Sequence, residues 1–217
     1  NGTSPDATLA SPHRGTKGQV YEGGTLVPGL IEWPARIPKP RTSNVRACTS
    51  DLLPTLCALT SQPLPDRPLD GIDLMPLLDD KITERPTPLY FWSFNSGKAN
   101  RSNSEPWIDP ELQKGTTPLA KLSGGKATRD FSNFRQPVIT DDDYLGPRAI
   151  LDGRFKLVIH EPRKGAPTLE LFDLDTDPAE KTNVFDQQPV IARRLQNQLR
   201  HWQGSVLQSL TGADYKN

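Results

Sequence analysis

The residues best suited to chemistry stand near the start of the chain. Lys17 sits between Thr16 and Gly18 in a glycine-rich run, with His13 and Arg14 just upstream. Three potential cations within five positions, on a loop beside an apolar segment, can hold an anion. A lysine ammonium is a compact point charge that suits a sulfate or phosphate oxygen. From charge alone, a solvated basic turn is the favoured reading of the same residues. A self-contained hydrolase also needs a nucleophile and a base. The chain has no Gly-x-Ser-x-Gly elbow, no P-loop and no metalloprotease His motif. Cys57, between Leu56 and Ala58, reads as packing, and Cys48 has no adjacent His. His160 alternates with apolar residues and His201 stands beside Trp202, so both read as structural or exposed.

The elements that must position these residues follow from pattern. Residues 1–16, rich in Ser, Thr, Pro, Asp and Gly, read as a loop. Gly23-Gly24 implies backbone that needs positive φ or a close approach. Residues 26–33 are short, apolar and bounded by Pro and Gly, which predicts a buried strand. Residues 49–59 predict a helix capped by Ser50 or Thr49, with Pro54 tolerated early and Leu52, Leu56 and Leu59 on one buried face. Asp70-Gly71 predicts a turn before a short helical segment ending near Leu78, and residues 89–92 another buried strand. Residues 95–147 are polar with little periodicity, and a stretch that long is functional or disordered.

From residue 148 periodicity returns. Residues 149–151 and 154–160 predict a hairpin, with Asp152-Gly153 as a type I′ turn and Phe155, Leu157 and Ile159 on one face. Residues 168–174 predict a third strand and residues 175–178 a turn. After Pro189, residues Ile191, Leu195, Leu199, Trp202, Val206 and Leu210 step by three or four, the mark of a long amphipathic helix. A small sheet under a terminal helix is an α+β unit.

Composition narrows the class. Lys plus Arg equals Asp plus Glu at 26 each in 217 residues, so the balanced charge supplies no field for nucleic acid or a membrane surface. No apolar run approaches the roughly 18 residues of a transmembrane helix. Two cysteines exclude a disulfide scaffold and a Cys-rich zinc fold, and three histidines argue against a His-built metal site. The start at Asn1-Gly2-Thr3, with Met75 the only methionine, suggests a piece of a longer protein.

Arg14-Gly15-Thr16-Lys17-Gly18-Gln19-Val20-Tyr21-Glu22-Gly23-Gly24-Thr25-Leu26-Val27-Pro28-Gly29 resembles the second signature of the type I, formylglycine-dependent sulfatases, arylsulfatase and N-acetylgalactosamine-6-sulfatase-like members of the alkaline-phosphatase-like superfamily. Asp51-Leu52-Leu53-Pro54-Thr55-Leu56 resembles the family's D-(I/L)-x-P-T-L helix, and Asp70-Gly71-Ile72-Asp73-Leu74 its D-G-x-(D/S)-L segment. Gly153-Arg154-Phe155-Lys156-Leu157-Val158 and Glu170-Leu171-Phe172-Asp173-Leu174-Asp175-Thr176-Asp177-Pro178-Ala179-Glu180 resemble its tail. The blocks keep family order across about residues 1–95 and 148–217, and the middle insertion matches no block.

The resemblance implies an α/β fold. Residues 1–94 would be the C-terminal part of the large alkaline-phosphatase-like sandwich, residues 95–147 a polar insertion, and residues 148–217 a small α+β domain of antiparallel sheet with a long terminal helix. It implies sulfate ester hydrolysis by a formylglycine made from Cys or Ser, with a divalent ion, usually calcium, screening the sulfate. Lys17 resembles the lysine that contacts the sulfate and its bridging oxygen, and is the expected catalytic and substrate-binding residue. Asn1 resembles the second member of the family's Asp-Asn metal-ligand pair, and Glu22 a residue that supports the loop. A substrate contact by His13 is an expectation from its position alone.

Departures are informative. The (C/S)-x-(P/A)-x-R motif that becomes formylglycine is absent, Ser61-Gln62-Pro63 and Ser104-Glu105-Pro106 coming nearest without the Arg. The upstream metal ligands and histidines of the family are also absent, so this polypeptide alone is expected to be inactive and to need the N-terminal catalytic portion as partner. Trp92, Trp107, Asn95 and Arg101 suit sugar faces and hydroxyls, which favours a sulfated carbohydrate. Two other readings stay open: a non-catalytic interaction module, and part of a phosphoesterase of the same superfold, which an upstream Thr or Ser nucleophile would mark. Relatives imply a periplasmic or extracellular location, lysosomal in a eukaryote.

Overall fold

The computed structural model describes residues 2–4, 11–94 and 138–214. At its centre is an antiparallel sheet of four strands in the order β1-β2-β3-β4: β1 (Leu89–Trp92), β2 (Arg148–Asp152), β3 (Phe155–His160) and β4 (Thr168–Asp173). Registers such as Leu89↔Leu151, Ile150↔Leu157 and Leu157↔Leu171 align the apolar positions across the sheet. The β2–β3 loop is Gly153-Arg154, because Asp152 pairs with Phe155. Gly153 has φ +56° and Arg154 is not left-handed, the pattern of a type II′ turn rather than the expected type I′.

Strand alternation sends successive side chains to opposite faces. Phe155, Leu157 and Ile159, with Ile150 and Leu171, face the long helix as expected. That helix, Pro189–Thr211, opens on proline and ends at Gly212 with φ +85°, a left-handed glycine stop. Its buried stripe is Ala192, Leu195, Leu199, Gln203 and Leu207. Val206 and Leu210 are only half-buried, because the stripe drifts around the axis over its length. The opposite sheet face carries Ala149, Leu151, Val158 and Phe172, and is covered by Val20, Tyr21 and Leu174. The sheet is therefore buried on both sides, by a helix on one and by the glycine loop on the other.

The N-terminal elements are short. A helical turn, α1 (Glu22–Thr25), closes the glycine loop. α2 (Leu52–Thr60) follows a 3₁₀ turn at Thr49–Asp51, and α3 is Met75–Leu78. The terminal helix is α4. The turn before α2 starts at Cys48, not at Ser50 or Thr49, and Asp51 caps it by accepting the Cys48 N–H at 2.7 Å. The expected buried strand at 26–33 is not formed. The segment has no strand partner among the described residues, so its backbone has no ladder to join, and Leu30 is 95% exposed. Leu52, Leu56 and Leu59 are exposed rather than buried, leaving Pro54 as the buried residue of α2.

Polar contacts nevertheless order this region. Asp51 is fully buried and accepts both Arg85 guanidinium nitrogens at 2.7 and 2.8 Å, together with the Ile72 N–H at 2.8 Å. Burial would raise its pKa, but these hydrogen bonds outweigh that and hold the carboxyl below the ordinary range. A Cβ on Gly71 would lie 2.0 Å from the Ser50 carbonyl oxygen, which explains the glycine of the Asp70-Gly71 turn. Trp202 on α4 donates to Asp70 at 2.8 Å and stacks on Tyr90 at 4.8 Å, tying this region to the sheet.

Candidate functional site

The glycine loop is closed by its own backbone. Thr3 N–H donates to the Gly23 carbonyl at 2.6 Å, Lys17 N–H to the Thr3 carbonyl at 2.7 Å, and Gly23 N–H to the Arg14 carbonyl at 2.7 Å. A Cβ on Gly23 would sit 2.2 Å from the Gly15 oxygen, and one on Gly24 2.0 Å from the Gln19 oxygen. Any side chain at either position would push the two limbs apart. The paired glycines are therefore a close-packing requirement, as the sequence implied.

Lys17 stands exposed between these limbs, and no hydrogen bond or ion pair engages its ammonium among the described residues. Its backbone is fixed while its charge faces outward. Arg14 is directed the other way. Its guanidinium bonds Glu170 at 2.9 Å and the Glu180 carbonyl at 3.2 Å, donates to the Tyr21 hydroxyl, and lies 4.0 Å from the Tyr21 ring centroid. His13 turns its Nδ1 to the Pro178 carbonyl at 3.0 Å. The structure thus separates the three cations, with Arg14 and His13 against the sheet and the turn after β4, and Lys17 exposed. Asn1 lies outside the described residues, as do Asn95, Arg101 and Trp107 of the insertion. Trp92 donates to the Leu145 carbonyl at 3.0 Å and packs against Trp202.

Beneath the loop lies a buried charge cluster that the sequence reading did not bring together. Lys156, on the loop-facing side of β3 and fully buried, donates to Glu22 at 2.8 Å and pairs with Glu180 at 3.0 Å. Glu22 N–H, first in its helical turn and so without an intrahelical acceptor, donates to Glu180 Oε2 at 2.7 Å. Burial pushes the Glu180 carboxyl up, with Lys156 and the Glu22 N–H pulling against it. Tyr21 donates to Glu170, and burial followed by that bond raises its hydroxyl pKa. His160 packs its ring on Tyr21 at 5.4 Å, and burial lowers its pKa. The signal for the cluster was present: Lys156, Val158 and His160 alternate opposite the apolar face of β3, so a lysine there had to be buried once both faces were covered.

Among the described residues no three His, Cys, Asp or Glu side chains converge as a metal cage, so on their own they do not make a calcium site.

No family model matches the chain. It is 32% identical to arylsulfatase A of Bos taurus over 176 residues, covering 81% of this chain and 29% of that protein. It is 26% identical to the N-acetylgalactosamine-6-O-sulfatase of Bacteroides thetaiotaomicron over 185 residues, 84% of this chain and 28% of that protein. A solved structure from work on the metabolism of multiple glycosaminoglycans by Bacteroides thetaiotaomicron superposes with a TM-score of 0.55 at 23% identity, over 89% of this chain and 32% of that one. That likeness shows the shared fold of sheet and terminal helix. The chain thus spans under a third of the length of these relatives. Over about 80% of its residues this chain is homologous to the sulfatases, the family of arylsulfatase A and N-acetylgalactosamine-6-sulfatase.

Proposed function

We propose that this chain is the C-terminal part of a sulfuric ester hydrolase and that Lys17 neutralises the sulfate ester during its cleavage. The observation that supports this is the build of the glycine loop: a backbone closed on itself and seated on the sheet, with a single ammonium left outward at its tip. A charge held on fixed backbone costs little reorganisation when negative charge develops beside it. As the sulfur–oxygen bond breaks, charge builds on the bridging oxygen, and Lys17 is the group of this chain proposed to offset it. In the full enzymes of the family, formylglycine supplies the nucleophile and calcium the sulfate screening; Asn1 is the residue of this chain proposed toward that metal. His13 is proposed to border the substrate through the ring edge that Pro178 does not occupy.

A sulfated carbohydrate is the proposed substrate, on the likeness to a relative named for N-acetylgalactosamine-6-sulfate. The N-terminal catalytic portion is the proposed partner. It would cover the exposed leucines of residues 26–64. An exported location is proposed on the same family grounds.

In the full-length protein, Lys17→Ala is expected to lower kcat/KM for p-nitrophenyl sulfate by about 10²–10³-fold, the usual loss for one transition-state charge stabiliser. Unchanged turnover with a lowered melting temperature would instead identify a purely structural module.

A further inference from the structure

We infer that Glu180, acting with Lys156 through Glu22, is a positioning residue for Lys17, so that the C-terminal sheet sets where the ammonium stands against a bound sulfate ester. The inference rests on the reading of Lys17 above and extends it to residues more than a hundred positions away in sequence.

Glu180 holds both stems of the glycine loop. Its backbone carbonyl accepts Arg14 at 3.2 Å, on the stem before Lys17. Its carboxylate accepts the Glu22 N–H at 2.7 Å, on the stem after it. Lys156 completes the grip by pairing with the Glu22 and Glu180 carboxylates at 2.8 and 3.0 Å. Glu180 is fully buried and adopts φ +53°, the left-handed region that a glutamate seldom occupies. A neighbouring contact fixes that turn, its own N–H donating to the Asp177 carbonyl at 3.1 Å.

Stability does not account for such a cluster. Desolvating three ionisable groups roughly cancels their attraction, and apolar residues of similar volume would pack this junction as well or better. What the charges add is geometric selectivity, because one stem must meet the Glu180 backbone carbonyl while the other meets its carboxylate. There is no slack between stem and tip. Gly23 N–H bonds the Arg14 carbonyl, and Gly24 is packed against Gln19, so a shift of Glu22 must move residues 14–19 with it. A displacement of about 1 Å at a catalytic group costs on the order of a hundredfold in rate.

The test uses the full-length enzyme with p-nitrophenyl sulfate, and reads hydrogen exchange of residues 14–24 beside that of β2 and β3. Lys156→Met and Glu180→Gln are each expected to lower kcat/KM by about 10–100-fold. Exchange should rise in residues 14–24 and stay unchanged in the two strands. Glu180→Gln, which keeps size and an acceptor oxygen, serves where Lys156→Met fails to fold. Activity within twofold of wild type, or exchange rising equally in loop and strands, overturns the inference. Lys17→Ala separates the claims. If it abolishes turnover while both other variants stay within twofold, the positioning inference fails and the reading of Lys17 stands. If Lys17→Ala is itself fully active, the reading of Lys17 fails and takes the inference with it.

Discussion

Two neighbouring regions of this chain invert the usual placement of polar and apolar groups. In the junction of glycine loop and sheet, charges lie inside: Lys156, Glu22 and Glu180 are buried and paired. In residues 26–64, apolar groups lie outside: nine of the eleven large exposed hydrophobics among the described residues fall there, Leu26, Leu30, Leu59 and Leu64 among them. The junction is a finished interior, each charge answered by another from a distant part of the sequence. The second region has its polar frame in place through Asp51 and Arg85, while its apolar faces have no cover among the described residues. Local polar geometry is therefore set within the described residues, and apolar burial is the part for which a partner is proposed.

The largest effect is expected at the polar frame. Arg85→Ala leaves the buried Asp51 carboxylate without its guanidinium and should destabilise this chain by about 3–5 kcal/mol, measured by urea unfolding. A loss below ~1 kcal/mol would mean that the frame is not fixed by the pair. On the apolar side, Leu56→Glu should change the stability of this chain by less than ~0.5 kcal/mol, since the side chain is already exposed. In the full-length protein the same change should cost more than ~2 kcal/mol, as a carboxylate would be buried unpaired. Equal small effects in both would remove the proposed N-terminal partner from this face.

The smallest effect is a pH dependence in the junction. Burial holds the His160 pKa below 6.5, so the folded state favours the neutral ring. The stability this contributes is present above pH 6.5 and is lost as pH falls through the folded value. His160→Phe should therefore flatten the melting temperature between neutral pH and pH 5, where wild type declines. An identical decline in both proteins would contradict it.

Much of this arrangement was legible in the residues. The strand and helix periods located β1 to β4 and α4, and Gly23-Gly24 announced a close approach that the carbonyls of Gly15 and Gln19 supply. Lys17 stood out by type and setting. What pattern could not supply was long-range. Leu52, Leu56 and Leu59 correctly define an apolar face, but periodicity does not say whether its cover lies in the same described chain. Residues 26–33 have strand composition without a strand neighbour among the described residues. Glu180 looked like the end of a turn motif, and its grip on Arg14 and Glu22 arises only when the turn after β4 folds under the loop.

The claim that Lys17 offsets charge on the departing oxygen has a direct test in the leaving group. In the full-length enzyme, kcat/KM is measured for aryl sulfates whose phenols span a range of acidity, with wild type and with Lys17→Ala. The account predicts that the variant's loss grows as the phenol becomes less acidic, because a poorer leaving group carries more charge for the lysine to neutralise. A loss that is constant across the series, or absent, would contradict it.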